Sequence, residues 1–103
     1  QNINHKNALI KVIEEGKKLA KEELNKFLDN RKAKANYIFL LKALAKNKCS
    51  WGIIKNEFIR KGKKISDRQL LLYIRELVDY GFIEKERNEY KILDPLYIRA
   101  IEE

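Results

Sequence analysis

SDRQLLLYIRELVDYGFIEKERNEYKILDP, the stretch from Ser66 to Pro95, decides the fold of this chain. Ser66 to Gln69 has the form of a capping box, in which the Ser side chain caps a backbone N–H and the Gln reaches back. A helical run follows, expected to bury Leu70, Leu71, Ile74, Leu77 and Val78, and Gly81 is placed to stop it. Residues 82–86 and 89–93 then alternate as two strands, with Arg87-Asn88 at the tip, where Asn88 tolerates a left-handed turn. Pro95 cannot continue a ladder, so the sheet is expected to stop at Asp94. A helix with a start and a stop signal, followed at once by a short hairpin, points to a binding module and away from an enzyme.

Working outward, three more helix patterns precede this stretch. Residues 5–30 carry Leu9, Ile13, Gly16, Ala20, Leu24, Phe27 and Leu28 at spacings of three or four, which build one apolar stripe. Gly16 marks either a bend or close packing against a neighbour. A polar turn at 29–34 leads to a helix from about Ala35 to Lys46 that is apolar nearly all round. Tyr37, Ile38, Leu41, Leu44 and Ala45 line one side and Phe39, Leu40 and Ala43 the other, so this helix should be sandwiched between the winged-helix core and another element, for which the first helix and residues 96–101 are the available covers. Ser50 is an N-cap for the next helix, which carries Trp51, Ile54, Phe58 and Ile59 and ends at Gly62. Ile65, in the connector, is expected to pair into the later sheet. The fold class read from these signals is mainly α with a small antiparallel β-hairpin: a winged helix-turn-helix preceded by a long N-terminal helix. The domain reading is a linking helix at 1–34 and a winged helix-turn-helix domain at 35–103.

The formal net charge is +8 over 103 residues. Residues 31–64 contain eleven Lys/Arg and one acid, Glu57, so this third of the chain carries +10 and the remainder −2. Such a block suits a polyanion. A chain rich in Lys, Glu and Ile with few Gln also fits a thermophile's charged surface. Beginning at Gln1 rather than Met, the sequence reads as a fragment or processed form. It shows no signal peptide and no run of eighteen apolar residues, so no membrane partner and a cytoplasmic location are expected. Cys49 is the one cysteine and reads as a small residue in a turn. His5 has no partner in sequence, and zinc spacings are missing. Gly62-Lys63-Lys64 lacks the leading glycine, the hydroxyl and the preceding strand of a phosphate loop. Glu14, Glu15, Glu22 and Glu23 sit among lysines on a helix and read as solvated charge. No catalytic residue, metal or cofactor is expected.

The candidate recognition face is the outer side of helix 67–80. Arg68, Leu72, Arg75 and Asp79 lie opposite the expected core, with Gln69 and Glu76 beside them. Arg68 and Gln69 stand at the N-terminal end, which normally meets base edges, Arg pairing with guanine and Gln with adenine. Lys55, Arg60, Lys63 and Lys64 before the helix, and Lys85, Arg87 and Lys91 on the hairpin, are candidate phosphate contacts for double-stranded DNA. Carboxylates on the same face repel phosphate, and an exposed Leu72 suits a protein contact better. Phe39 and Leu72 are therefore candidate protein-docking residues.

Taken together, residues 37–45, Trp51-Gly52-Ile53-Ile54-Lys55, Gly62, Ile65-Ser66, 77–85 and Tyr90-Lys91-Ile92-Leu93-Asp94-Pro95 resemble the C-terminal winged-helix region of the archaeal P-loop ATPases of the AAA-like class. The resemblance runs from about Asn7 to Ala100, with Lys21-Glu22-Glu23-Leu24 and Phe27-Leu28 similar to the segment that joins the ATPase core to that region. It implies a parent that binds and hydrolyses ATP upstream, since the family's phosphate loop, magnesium-binding acid and arginine sensor are not in this chain. It also implies that this piece is not itself an enzyme. On that basis the chain binds duplex DNA, or docks on the ATPase domain of its parent or on a second copy of itself.

Overall fold

The computed structural model describes residues 2–102, with side chains described from Ile10 to Ile101. The elements run α1 (Asn2–Asp29), α2 (Lys34–Lys46), β1 (Cys49–Ser50), α3 (Trp51–Arg60), α4 (Asp67–Asp79), β2 (Ile83–Glu86), β3 (Glu89–Ile92) and α5 (Pro95–Glu102). The architecture is mainly α with one small antiparallel sheet, as the pattern of caps, glycines and alternation predicts. Both helix stops are complete Schellman motifs. Gly62 N–H donates to Ile59 O and Lys63 N–H to Phe58 O; Gly81 N–H donates to Val78 O and Phe82 N–H to Leu77 O. Gly62 and Gly81 take φ of 72° and 80°, the left-handed conformation this motif needs and glycine adopts without steric cost. Ser50 Oγ accepts from Ile53 N–H to start α3, and the Ser66–Gln69 capping box is present with both of its bonds.

α1 runs unbroken through Gly16 and is about 42 Å long at the usual helical rise. Of its predicted stripe, Ala20, Leu24, Phe27 and Leu28 are buried, Ile13 is exposed, and Leu9 lies outside the described side chains, as does His5. The glycine is explained by packing. A Cβ built at Gly16 would stand 3.0 Å from Leu96 Cδ1, so α5 lies directly on this turn of α1. α2 is covered twice, as its all-round apolar surface requires, by α1 and α5 and by α3 and β3, and it buries Tyr37, Leu40, Leu41 and Leu44. Phe27 joins α1 to the rest of the core through edge-on contacts with Tyr37, Tyr80 and Phe82 at centroid separations of 5.0–5.3 Å.

Three expectations are corrected. The third strand is Cys49–Ser50, not Ile65: Cys49 pairs with Tyr90 and Ser50 with Glu89, giving the order β1-β3-β2. Ile65 stays outside the sheet because its neighbours' donors are already used, Lys63 N–H in the α3 stop and Ser66 N–H by Gln69 Oε1. The left-handed residue of the hairpin tip is Arg87, with φ 58°, not Asn88. Finally, α4 buries Leu70, Tyr73, Ile74 and Leu77, while Leu71 and Val78 lie at the surface. At about 100° per residue the first four fall within one arc, whereas Leu71 and Val78 fall on its flank. Asp94-Pro95 both ends the sheet and begins α5. Asp94 Oδ1 accepts from Leu96 N–H at 2.9 Å, and Pro95 occupies the first helical position, where its missing N–H costs nothing.

Candidate interaction face

α4 is held by its two capped ends and by its buried stripe, which leaves a continuous outer face. That face carries Arg68, Leu71, Leu72, Arg75, Val78 and Asp79. Three of its six side chains are apolar, with Leu71 52% exposed, Leu72 51% and Val78 36%. Lys85 and Tyr90 of the hairpin border the same helix, and together these residues line a shallow groove of about 660 Å³. Arg68 and Arg75 have no ion-pair or hydrogen-bond partner among the described residues, and Lys85 stands over the Tyr90 ring at 5.9 Å. The groove therefore has apolar walls and three cations at its edges, with Asp79 as its carboxylate.

Most of the other candidate residues are engaged within the chain. Lys55 is ion-paired with Asp67 and lies over the Trp51 ring at 5.2 Å. Arg60 Nη2 is 2.7 Å from Glu57 Oε2. Lys91 Nζ bridges two carboxylates across the hairpin, 2.6 Å from Glu86 and 3.2 Å from Glu84. Gln69 turns its Oε1 back to Ser66 N–H at 3.0 Å, so that oxygen is occupied by the capping box. Lys63 Nζ stands 5.2 Å over the Phe39 ring. Lys64 and Arg87 are exposed and have no partner among the described residues. Phe39 itself is half-buried and packs edge-on against Phe58 at 4.7 Å, on a different side of the molecule from Leu72.

Glu76, expected beside Arg75 on the outer face, turns toward α1 and α2. Arg31 Nε donates to Glu76 Oε2 at 3.1 Å, and Tyr37 Oη hydrogen-bonds to the same oxygen. The Tyr37 hydroxyl, reinforced by Arg31 and opposed by burial, holds the Glu76 carboxyl below the usual carboxylate range. Arg31 lies over the Phe27 ring at 3.8 Å and the Tyr80 ring at 4.8 Å. These contacts fix α4 to the α1–α2 turn. Sequence reading missed Arg31 because its partner is 45 positions away. Tyr73 was missed as a core residue too, although Leu70, Tyr73, Ile74 and Leu77 follow the usual helical core spacing.

Cys49 is buried in β1, and burial, with Glu57 and Glu89 nearby, pushes its thiol up, which disfavours the reactive thiolate. Among the described residues no three His, Cys, Asp or Glu side chains are placed to share a metal ion, and no helix is long and apolar enough to cross a membrane.

No known family model and no curated protein sequence matches the chain. Its fold is similar to part of a solved structure, the Walker-type ATPase PABY2304 of Pyrococcus abyssi, with a TM-score of 0.74 and 27% identity. The similarity covers 92% of this chain and 26% of that one. The chain is thus related to an archaeal Walker-type ATPase and spans about a quarter of that relative's length.

Proposed function

We propose that the chain is a non-catalytic winged helix-turn-helix region of an archaeal ATPase, and that its α4–hairpin face docks on the ATPase domain of the same parent. In this reading residues 1–34 join the two parts, with the second half of α1 packed into the winged-helix core at 35–103. The observation that carries the docking reading is the exposure of Leu71, Leu72 and Val78 on one face of α4. Three neighbouring apolar side chains gain little from phosphate or water and gain free energy when a partner covers them. Asp79 on the same face, and the carboxylates that already hold Lys55, Arg60 and Lys91, weaken the case for a duplex. Calorimetric titration of this chain into the rest of its parent ATPase tests the reading. Saturable heat that disappears in a Leu71→Asp/Leu72→Asp variant is expected; unchanged heat would refute it.

The second reading is double-stranded DNA, favoured by one observation: Arg68 and Arg75, unpaired, flank the groove with Lys85. Phosphate contacts would then dominate, through these three with Lys63, Lys64 and Arg87, and binding would be weak, steeply salt-dependent and nearly blind to sequence. Under either reading the chain does no ATP chemistry. Titration with ATP and magnesium should give no saturable heat, and micromolar binding would overturn that.

A further inference from the structure

A second concave surface shares no residue with the α4 face. It lies between α2 and α3, closed at one side by the end of α5, and has a volume of about 710 Å³. Its floor is apolar: Phe39 and Ala43 from α2, Ile53 from α3 and Ile101 from α5. Phe39 is held against Phe58, so that part of the floor is set before anything binds. Lys42 and Lys46 project from the same stripe of α2 as Phe39 and Ala43, at helical spacings of three and four. Lys48, Arg60 and Lys61 complete the rim. Among the described residues the one acid there, Glu57, is already bonded to Arg60, Lys48 Nζ stands 3.8 Å from Glu89 Oε1, and Lys42, Lys46 and Lys61 have no partner.

We infer that this groove is a binding site for an acidic amphipathic helix of a partner protein. An apolar floor receives the apolar face of a helix, and a rim on which Lys42, Lys46 and Lys61 are unpaired among the described residues receives its carboxylates. Two other occupants fit less well. A duplex would meet the rim lysines with its phosphates and leave the recessed floor uncovered, because its surface is convex and charged. A second copy of this chain would have to offer α1, where Ile10, Val12 and Leu19 are exposed, but residues 10–28 carry five lysines and four glutamates and bring no net negative charge.

The probe is a synthetic acidic helical peptide with Leu at positions i, i+3, i+4 and i+7 and Glu elsewhere, labelled with a fluorophore and read by anisotropy at low salt. Trp51, the sole tryptophan, checks folding of each variant. Saturable binding is expected, weakened roughly tenfold or more by Lys42→Glu/Lys46→Glu, two exposed changes that leave the core alone. Replacing the peptide's Leu by Ser should weaken binding to a similar degree, and Arg68→Glu/Arg75→Glu on the other face should leave it within about twofold. The inference is overturned by absence of binding, by a Ser peptide that binds as well as the Leu peptide, by equal losses from the α4 variant, or by a duplex that outcompetes the peptide for the groove.

Discussion

Arg31 and Glu76, 45 positions apart, form an ion pair at 3.1 Å between the α1–α2 turn and the outer helix α4. Tyr37 donates to the same carboxylate, so removing Glu76 leaves that hydroxyl without its acceptor and takes from Arg31 its charged partner, leaving the Nη1 bond to Phe27 O. Glu76→Ala should cost about 1–3 kcal/mol in urea denaturation, since two charge-assisted bonds at a partly buried site are lost. The carboxyl is held below its usual range, so its contribution is present above the ordinary glutamate pKa and is lost as pH falls through the folded value. Glu76→Gln should therefore be less stable at neutral pH, with a stability that falls less steeply across the acid limb.

Gly16 and Leu96 set how closely α5 lies on α1. Alanine at Gly16 gains about 1 kcal/mol of helix propensity, and the atom it would meet, Leu96 Cδ1, ends a flexible side chain. Gly16→Ala should therefore be neutral to stabilising. Gly16→Leu has no such escape, because the whole side chain must displace α5, and should cost about 1–3 kcal/mol. Thermal melts of the two variants separate these outcomes; equal melts would mean that the α1–α5 contact does not constrain the domain.

The parts legible in the sequence are those fixed by local chemistry. Ser66 with Gln69, and Gly62 and Gly81 after apolar helical runs, act within a few residues of themselves, so the helix boundaries and the hairpin follow from them. β1 was not legible, because two residues carry no periodicity and become a strand only through pairing with Tyr90 and Glu89 forty positions later. Leu71 and Val78 were misplaced for a related reason. A run of leucines offers two faces of similar apolarity, and the position of Tyr73 against Tyr37, at 4.7 Å, selects one of them. That selection is what exposes the apolar half of the candidate face. The basic block was legible as charge, but its pairing was not: Arg31, Lys48, Lys55 and Arg60 meet carboxylates inside the chain.

Tyr97 links α5 to α1 through a hydrogen bond between its Oη and the Glu23 carboxylate. Burial, and then that bond, push its hydroxyl up to about 12. A raised tyrosine pKa contributes stability that is complete below the ordinary value of about 10 and is lost as pH rises through the folded value. The protein should lose stability between these two values, and Tyr97→Phe should reduce that alkaline loss. Tyr37, which is also raised by burial and by Glu76, and Lys91, raised by Glu86 and Glu84, add to the slope. Circular dichroism melts across the alkaline range measure both; an unchanged slope in Tyr97→Phe would show that the α1–α5 bond does not contribute.

The two readings of the α4 face separate on single side chains. Leu72 offers apolar area and no hydrogen bond, whereas Arg75 offers a charge and a planar set of donors beside it. Under the docking reading, Leu72→Ala removes half-exposed apolar area that a partner would cover, and should weaken association with the parent ATPase domain by about 1–2 kcal/mol. The same change should leave any affinity for duplex nearly intact. Arg68→Ala and Arg75→Ala should each weaken duplex binding by about 1–2 kcal/mol if they reach a base edge or phosphate. Each should also reduce its salt slope by about one unit per phosphate contact. Anisotropy with a labelled duplex across a salt series, beside calorimetry with the ATPase domain, gives a duplex affinity, its salt slope and a domain affinity for each variant. Loss of duplex binding in Leu72→Ala with both arginine variants unaffected would exclude reading of DNA by α4. Loss of ATPase-domain binding in the arginine variants alone, with Leu72→Ala unaffected, would mean that the apolar half of this face is not where the partner sits.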